Sequence, residues 1–449
     1  MTAREIAFQV LLRVDEGGAF ASRALDAALG QAGALDPREA GLATELVYGT
    51  LRRALALDAA LAPHASRPLE RADAAARVAL RLGAYQLLVL GKPAHAAVGE
   101  TVALAKNVNH GRAAGFVNAV LRALSRAPRF PAPPPLDADP AGHIALAEAL
   151  PRWLADEWIA WLEPAEALAL ARGMNEPALL SLRSPRRDEL VARLGAAGIV
   201  AAPAVRSPDG VVVRGASVAQ IARAAGSRGG PGGAAIPFQV QDEAAQLVSV
   251  YGADEWRGKK ARVLDACAAP GGKAFHLAEM LGPGSEVVAV ELHPRKADDL
   301  RREAERRGLS AVRVLCADAS KPIPGLAEGS FDAVVVDAPC AGLGTLRRHP
   351  ELKLRRSAGD LGRMAELQRA IVLQCARYAK PGAPVTYSVC SLSRAEGPDV
   401  VAALLAAGYR RTAPPPGFPA DLLTREGDLL TLPHRHGTDG FYAARVVRG

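Results

Sequence analysis

The chain has 449 residues, more than a single compact core ordinarily serves, so two or three domains are expected. Hydrophobic residues make up 49% of it against 4% aromatic, so aliphatic side chains must fill those cores, and the formal charge of +8 favours a polyanionic partner. Five cysteines, an odd number without zinc-like spacing, argue against a disulfide framework and a structural metal, and no run of about 18 apolar residues suggests a membrane span.

MTAREIAFQVLLRVDEGG carries charges every few residues and lacks a signal peptide's apolar run, so a cytoplasmic, soluble protein with free thiols is expected. Residues 1–127 read as helices joined by short loops: Ala7, Leu11 and Val14 share one face, flanked by Ile6 and Val10. Similar stripes recur in REAGLATELVYGTLRRALALDAAL and AARVALRLGAYQLLVL, so this is an all-α domain. Residues 128–150, opening with PRFPAPPPLDADP, read as a proline-rich linker. PRWLADEWIAWLEP then predicts one amphipathic helix carrying Trp153, Trp158 and Trp161. It opens a module over 151–236 in which short strands (LLSLR, IVAAPA, VVVRG) alternate with helices, a small α+β unit of RRM-like type. The closing GSRGGPGGAA lacks the Lys-Ser/Thr ending of a phosphate-binding loop and reads as a flexible connection.

From residue 237 to 449 the rhythm becomes strand, loop, helix. RVLDA, EVVAVE, VRVLCAD, FDAVVVD and APVTYSV are apolar runs separated by helical stretches, which implies a mostly parallel α/β sheet of Rossmann-like type covered on both faces. Ligands of such sheets sit at the carboxyl ends of the strands. The first run ends in Asp265-Ala-Cys-Ala-Ala-Pro-Gly-Gly-Lys273, a glycine turn opening a helix, and Glu291, Asp318 and Asp337 end the next three. Four strand-end carboxylates suit a nucleoside cofactor, whose ribose hydroxyls and adenine amino group are donors, while the missing G-x-G-x-x-G disfavours NAD.

Two cysteines stand at strand ends as well. Cys340 follows Asp337 in DAPC, and Cys390 ends TYSVC. Cys316, within a strand, and Cys375, on an apolar helix face, read as small core residues, and Cys267 as lining the cofactor loop without reacting. Carbon 5 of cytosine is too weak a nucleophile to take a methyl group from a sulfonium unaided. A thiolate adding to carbon 6 supplies the missing electron density, given a carboxyl group on the pyrimidine edge and a methyl donor nearby. Cys390, Asp337 and the cofactor loop fit those needs.

Taken together, DACAAPGGK, DAPCAGLG, RRHPELK, TYSVCSL, QDEAAQLV and HGTDGFYAARV resemble, in order and spacing, the RsmB-type rRNA 5-methylcytosine methyltransferases, bacterial relatives of the eukaryotic NSUN proteins. LVYGTLR, GAYQLL, KPAHAAVGETV and GFVNAVLR are similar to a NusB-like RNA-binding domain. The resemblance implies a class I methyltransferase domain using S-adenosyl-L-methionine on 16S rRNA, in a protein that is a monomer. It implies Cys390 as nucleophile and Cys340 as assisting release of the methylated base. It further implies cofactor contacts from Cys267, Ala268, Ala269, Pro270, Gly271, Gly272, Lys273, Glu291, Asp318 and Asp337. Ala341, Leu343 and Val389 depart from the family's usual hydroxyl residues, and Ser184 stands where an Asn often follows the Arg.

After Cys340, Arg347, Arg348, His349, Lys353, Arg355 and Arg356 form a basic run expected to neutralise RNA phosphates, with the NusB-like domain holding RNA at a second surface. The target base must be flipped out or already unpaired. Two alternatives stay open: a tRNA, DNA or other cytosine methyltransferase on the same scaffold, and a non-catalytic RNA-binding factor. The N-terminal domain favours rRNA over tRNA, the cysteine placement disfavours DNA, and the intact cysteines and carboxylates favour an enzyme.

Overall fold

The structure is a computed structural model, and it describes residues 1–33, 35–107, 111, 113–226 and 235–449. They fall into two compact units, Met1–Glu176 with Leu346–Arg356, and Pro177–Thr345 with Ser357–Gly449. Most of the glycine-rich stretch read as a flexible connection, residues 227–234, lies outside the described residues.

The first unit is all helical. Its elements are α1 (Ala3–Gly17), α2 (Ala21–Gln31), α3 (Pro37–Leu61), α4 (Ala74–Leu88), α5 (Ala94–Lys106), α6 (Ala114–Arg126), α7 (Pro140–Ala147), α8 (Arg152–Ile159) and α9 (Pro164–Asn175), with two short 3-10 turns. Thr2 and Glu5 form a capping box on α1, while Asp36 and Asp73 cap α3 and α4. The predicted stripe is buried as read: Ile6, Ala7, Val10, Leu11 and Val14 join Leu46, Leu80 and Leu121 in one core.

Two expectations change here. Residues 127–135 carry neither helix nor strand, but α7 begins at Pro140, inside the stretch expected to be linker. Asp139 accepts from the Gly142 N–H at 3.0 Å and Pro140 takes the first helical position, a start signal that the surrounding prolines masked. The tryptophan helix stops at Ile159, leaving Trp161 in the following turn, and it belongs with the first unit rather than with the α+β module.

The second unit holds two sheets. The smaller is formed by β1 (Leu180–Arg183), β2 (Val200–Pro203), β3 (Gly210–Arg214) and β4 (Gln239–Val240), in the order β2-β3-β1-β4 with every pairing antiparallel. With helices Arg187–Ala196 and Val218–Ala224 between strands, this is the β-α-β-β-α-β arrangement of RRM-like modules. β4 lies beyond residue 236, where the module was expected to close; two residues carry no readable alternation.

The larger sheet contains β5 (Arg262–Ala266), β6 (Glu286–Glu291), β7 (Val312–Cys316), β8 (Ala333–Asp337), β9 (Val385–Val389), β10 (Tyr409–Arg411), β11 (Leu429–Thr431) and β12 (Phe441–Arg448). Its order is β10-β12-β9-β8-β5-β6-β7, with β11 beside β12. β5 to β9 are parallel, as their apolar runs predicted, and β12 inserts antiparallel between β9 and β10. The strand order reverses between β5 and β8, where open α/β sheets hold their ligands. Arg183 is fully buried between the two sheets of this unit, its Nε donating to Gln241 at 2.8 Å and its guanidinium paired with Glu279. His276 and Asp209 add a second polar tie at 2.9 Å. Among the described residues no helix is long and apolar enough to cross a membrane.

Candidate active site

The loop after β5 is built for close approach. Cys267 takes a left-handed backbone conformation at φ 63°, rare outside glycine, and Ala269–Pro270 is cis. Gly271 sits at φ 106°, and a Cβ there would fall 2.4 Å from the Phe275 ring. The loop is tied to β6 by the Ala268 N–H on the Val290 carbonyl at 2.8 Å, then opens the helix Gly272–Met280.

Lys273, on the first turn of that helix, donates to Asp337 Oδ2 at 2.6 Å. Asp337 Oδ1 accepts from the Ser388 hydroxyl at 2.9 Å, so one carboxylate links the ends of β8 and β9 with the cofactor loop. Burial opposes a charge on Lys273, but attraction to Asp337 and the hydrogen bond prevail, with Cys390 and Asp265 adding, and its pKa is raised. Asp265 is fully buried, and neither carboxyl oxygen has a hydrogen-bond partner among the described residues. Burial pushes its pKa up to about 8, with Asp337 adding and Lys273 opposing, so near neutrality it is largely the uncharged acid.

Glu291 is buried at the end of β6, where its Oε1 accepts from the His293 N–H at 2.9 Å. Asp318, two residues past β7, accepts from the Ser320 hydroxyl and N–H at 2.6 and 3.0 Å, and these bonds hold its pKa down.

The two cysteines meet. Cys340 Sγ lies 3.3 Å from Cys390 Sγ, both half-buried, at the ends of neighbouring parallel strands in register at Asp337 and Ser388. The Cys340 thiol is raised well above its ordinary pKa, first by its hydrogen bond with Cys390, then by burial and the nearby Cys390, Glu396 and Asp337 charges. Cys340 therefore holds its proton. The Gly344 N–H donates to the Cys390 carbonyl at 3.0 Å, and Gly440 donates to the Gly344 carbonyl at 2.8 Å. The segment HGTDGF thus closes on the thiol loop, and a Cβ on Gly344 would clash with the Gly440 backbone.

Cys375 is buried as expected, with its thiol pushed up to about 12 by burial. Burial likewise raises the half-buried Cys267. Cys316 corrects its reading. It is exposed, because β7 is the edge of the sheet and Cys316 its last residue.

The structure also places the basic run. Arg347, Arg348, His349, Lys353, Arg355 and Arg356 belong to the first unit, and none is exposed. Arg355 donates to the carbonyls of Val14, Gly18 and Ala19 at 2.6–2.9 Å, satisfying the carboxyl end of α1. Lys353 is buried, with its Nζ on the Arg52 carbonyl, and burial, with Arg53 and Arg52 adding, pushes its pKa down to about 7. Glu351 accepts from the Ala21 N–H at the start of α2, and His349 packs edge-on against Phe20. Linear charge density suggested a phosphate contact; in the fold, Lys353 and Arg355 spend their hydrogen bonds on backbone carbonyls, and Arg347 is buried.

Sequence reading missed a buried network beneath the thiols. Glu396, Gln368, Tyr387 and Ser391 are each fully buried and linked to one another. Only an isolated Glu in SRAEGPD hinted at it, with no spacing signal.

The family described as 16S rRNA methyltransferase RsmB/F matches residues 257–447, and the NusB family matches residues 1–126. Ribosomal RNA small subunit methyltransferase B of Pseudomonas putida is 35% identical, covering 100% of this chain and 99% of its own length. The Pseudomonas syringae protein of the same name is 34% identical over 100% and 97%. Among solved structures, PH0851 shares the fold with a TM-score of 0.82 at 21% identity, covering 100% of this chain and 99% of its own. On these likenesses the chain belongs to the RsmB/F family of 16S rRNA methyltransferases and carries a NusB-family domain ahead of its catalytic sheet.

Proposed function

We propose that the protein methylates carbon 5 of a cytosine in 16S rRNA through a covalent adduct between Cys390 and carbon 6 of the base. The observation that carries this reading is the thiol pair, Cys340 and Cys390 at 3.3 Å, beside the Lys273–Asp337 ion pair. Cytosine-5 chemistry needs a nucleophilic thiolate, a carboxyl group on the pyrimidine edge and a proton carrier, and these residues supply all three.

The cofactor is S-adenosyl-L-methionine, which supplies an electrophilic methyl group when bound. The residues present fit it. Gly271 and Gly272 leave the loop without side chains where it opens a helix, Glu291 and Asp337 end β6 and β8, and Asp318 lies two residues past β7. Glu291 is assigned to the ribose hydroxyls and Asp318 to the adenine side, with Cys267 to Lys273 forming the wall.

Lys273 lies close enough to Cys390 for the two to interact electrostatically. Cys390 adds to carbon 6, its electron pair forming the C–S bond and pushing density to carbon 5. Asp337 and its Lys273 partner hold the pyrimidine edge. Once carbon 5 carries the methyl group, its proton passes to solvent water, the freed electron pair forms the C5–C6 double bond, and the C–S pair departs on Cys390 Sγ, which can take a proton from Cys340. Cys340, whose high pKa keeps a proton on Sγ, is positioned to assist that release. Residues 1–127 are assigned to holding RNA at a second surface, and the free thiols suit a reducing cytoplasm.

The test uses tritium-labelled S-adenosyl-L-methionine, unmodified 16S rRNA and the purified protein, followed by nucleoside analysis. Label in 5-methylcytidine is expected. Label in another nucleoside, or none despite cofactor binding, overturns the proposal.

A further inference from the structure

We infer that Glu396 is a positioning residue that sets the distance between the two thiols, a role that deepens the proposed function and rests on it for its catalytic meaning. Glu396 stands in the loop between β9 and the helix Pro398–Ala406 and is fully buried. Its Oε1 accepts from the backbone N–H of Ala341 at 2.8 Å and from Gln368 Nε2 at 3.0 Å. Its Oε2 accepts from the Ser391 hydroxyl. Ala341 directly follows Cys340, and Ser391 directly follows Cys390. One carboxylate therefore grips both thiol-bearing loops one residue beyond each sulfur.

The grip is itself held. Gln368, on the helix Ala358–Ala376, donates also to the Pro339 carbonyl at 2.9 Å, just before Cys340. The Tyr387 hydroxyl, from β9, lies 2.9 Å from Gln368 Oε1 and also reaches the Glu396 carbonyl. Burying a carboxylate is costly unless its oxygens are satisfied, and here the donors that satisfy it are the loops whose spacing decides the chemistry. A thiol displaced by about 1 Å already costs heavily in a covalent mechanism. The Gly344 N–H on the Cys390 carbonyl at 3.0 Å ties the same two loops by backbone, and Glu396 adds the side-chain tie nearest the two sulfurs.

The test reads thiol spacing apart from activity. Diamide takes up the two thiol hydrogens and leaves a Cys340–Cys390 disulfide, followed by peptide mass as a loss of two hydrogens. Wild type should cross-link readily. Glu396→Ala should slow this at least tenfold and lower kcat for methyl transfer about 100-fold, with KM for both substrates little changed. Glu396→Gln keeps an oxygen for Ala341 and Gln368 and offers its amide to Ser391, so it should restore both rates to within a few-fold. Should Glu396→Ala not fold, Ser391→Ala, which removes only the Cys390 arm of the grip, decides in its place and should also slow cross-linking. A folded Glu396→Ala or Ser391→Ala that cross-links at the wild-type rate overturns the inference. Absence of 5-methylcytidine from wild type would sink the proposed function while leaving the cross-linking comparison intact.

Discussion

The strand ends of the large sheet and the segment Leu346–Arg356 are both rich in charge, and they use it in opposite ways. At the strand ends, polar groups from different elements converge: Lys273 from a helix, Asp337 from β8, and the Cys390 thiol just beyond β9. In Leu346–Arg356, Arg355 and Lys353 terminate on the backbone carbonyls of α1 and α3. The first arrangement leaves groups whose protonation can change during a reaction. The second consumes its donors on peptide carbonyls, those of Arg355 at the carboxyl end of α1, where cations are favoured. Charge becomes a site when its partners are themselves reactive, and becomes scaffold when they are peptide groups.

The sharpest way to break this contrast is at the thiols. Cys390→Ala should reduce methyl transfer by about 10⁴-fold or more with cofactor affinity intact and no RNA adduct on denaturing gels. Surviving adduct would move the nucleophile elsewhere. Cys340→Ala should slow turnover by roughly 100-fold while covalent protein–RNA complex accumulates, because release loses its proton carrier. Free turnover in that variant would remove Cys340 from the pathway. Lys273→Met leaves Asp337 without its cation and should cost roughly tenfold or more in kcat/KM, read by initial rates.

In the scaffold segment the expected effects concern stability. The unfolded chain binds the Lys353 proton more tightly than the folded one between pH about 7 and about 10.4, so the folded state bears the full penalty below that window and none above it. Lys353→Met should therefore raise the melting temperature at pH 7 and by less at pH 10. Smallest of all, Arg355→Gln should lower the melting temperature by a few degrees, about 2–4 °C, yet leave the salt dependence of RNA binding unchanged. A salt slope reduced by about one would return Arg355 to the phosphate contacts.

What could be read beforehand follows the same division. The parallel strands were legible because each is an apolar run, and the cysteines and carboxylates because they recur where those runs end. β4, β10 and β11, of two or three residues, carry no period, and β12, though eight residues long, was not legible as a strand, its FYAARV standing out only as part of a motif. Glu396 was not legible because its partners lie on other elements: Ala341 is 55 residues away in sequence and Gln368 28. That Lys353 and Arg355 would bond backbone carbonyls was not legible in the basic run either, because proximity along the chain says nothing of which carbonyls the fold brings near.

The place of β12 bears on how the enzyme comes into being. β9, which ends one residue before Cys390, borders β8 on one side and β12 on the other. While a ribosome is still making residues 391–440, VTYSV is an open edge, the kind of surface that invites pairing with a neighbouring nascent chain. Both cysteines emerge well before β12 can cover that edge and before Gly440 can close on the Cys390 loop. The pair of thiols thus gains its full set of neighbours only when the final strand has docked, and a chain that stops before residue 441 holds both cysteines without the Gly440 contact that closes on their loop.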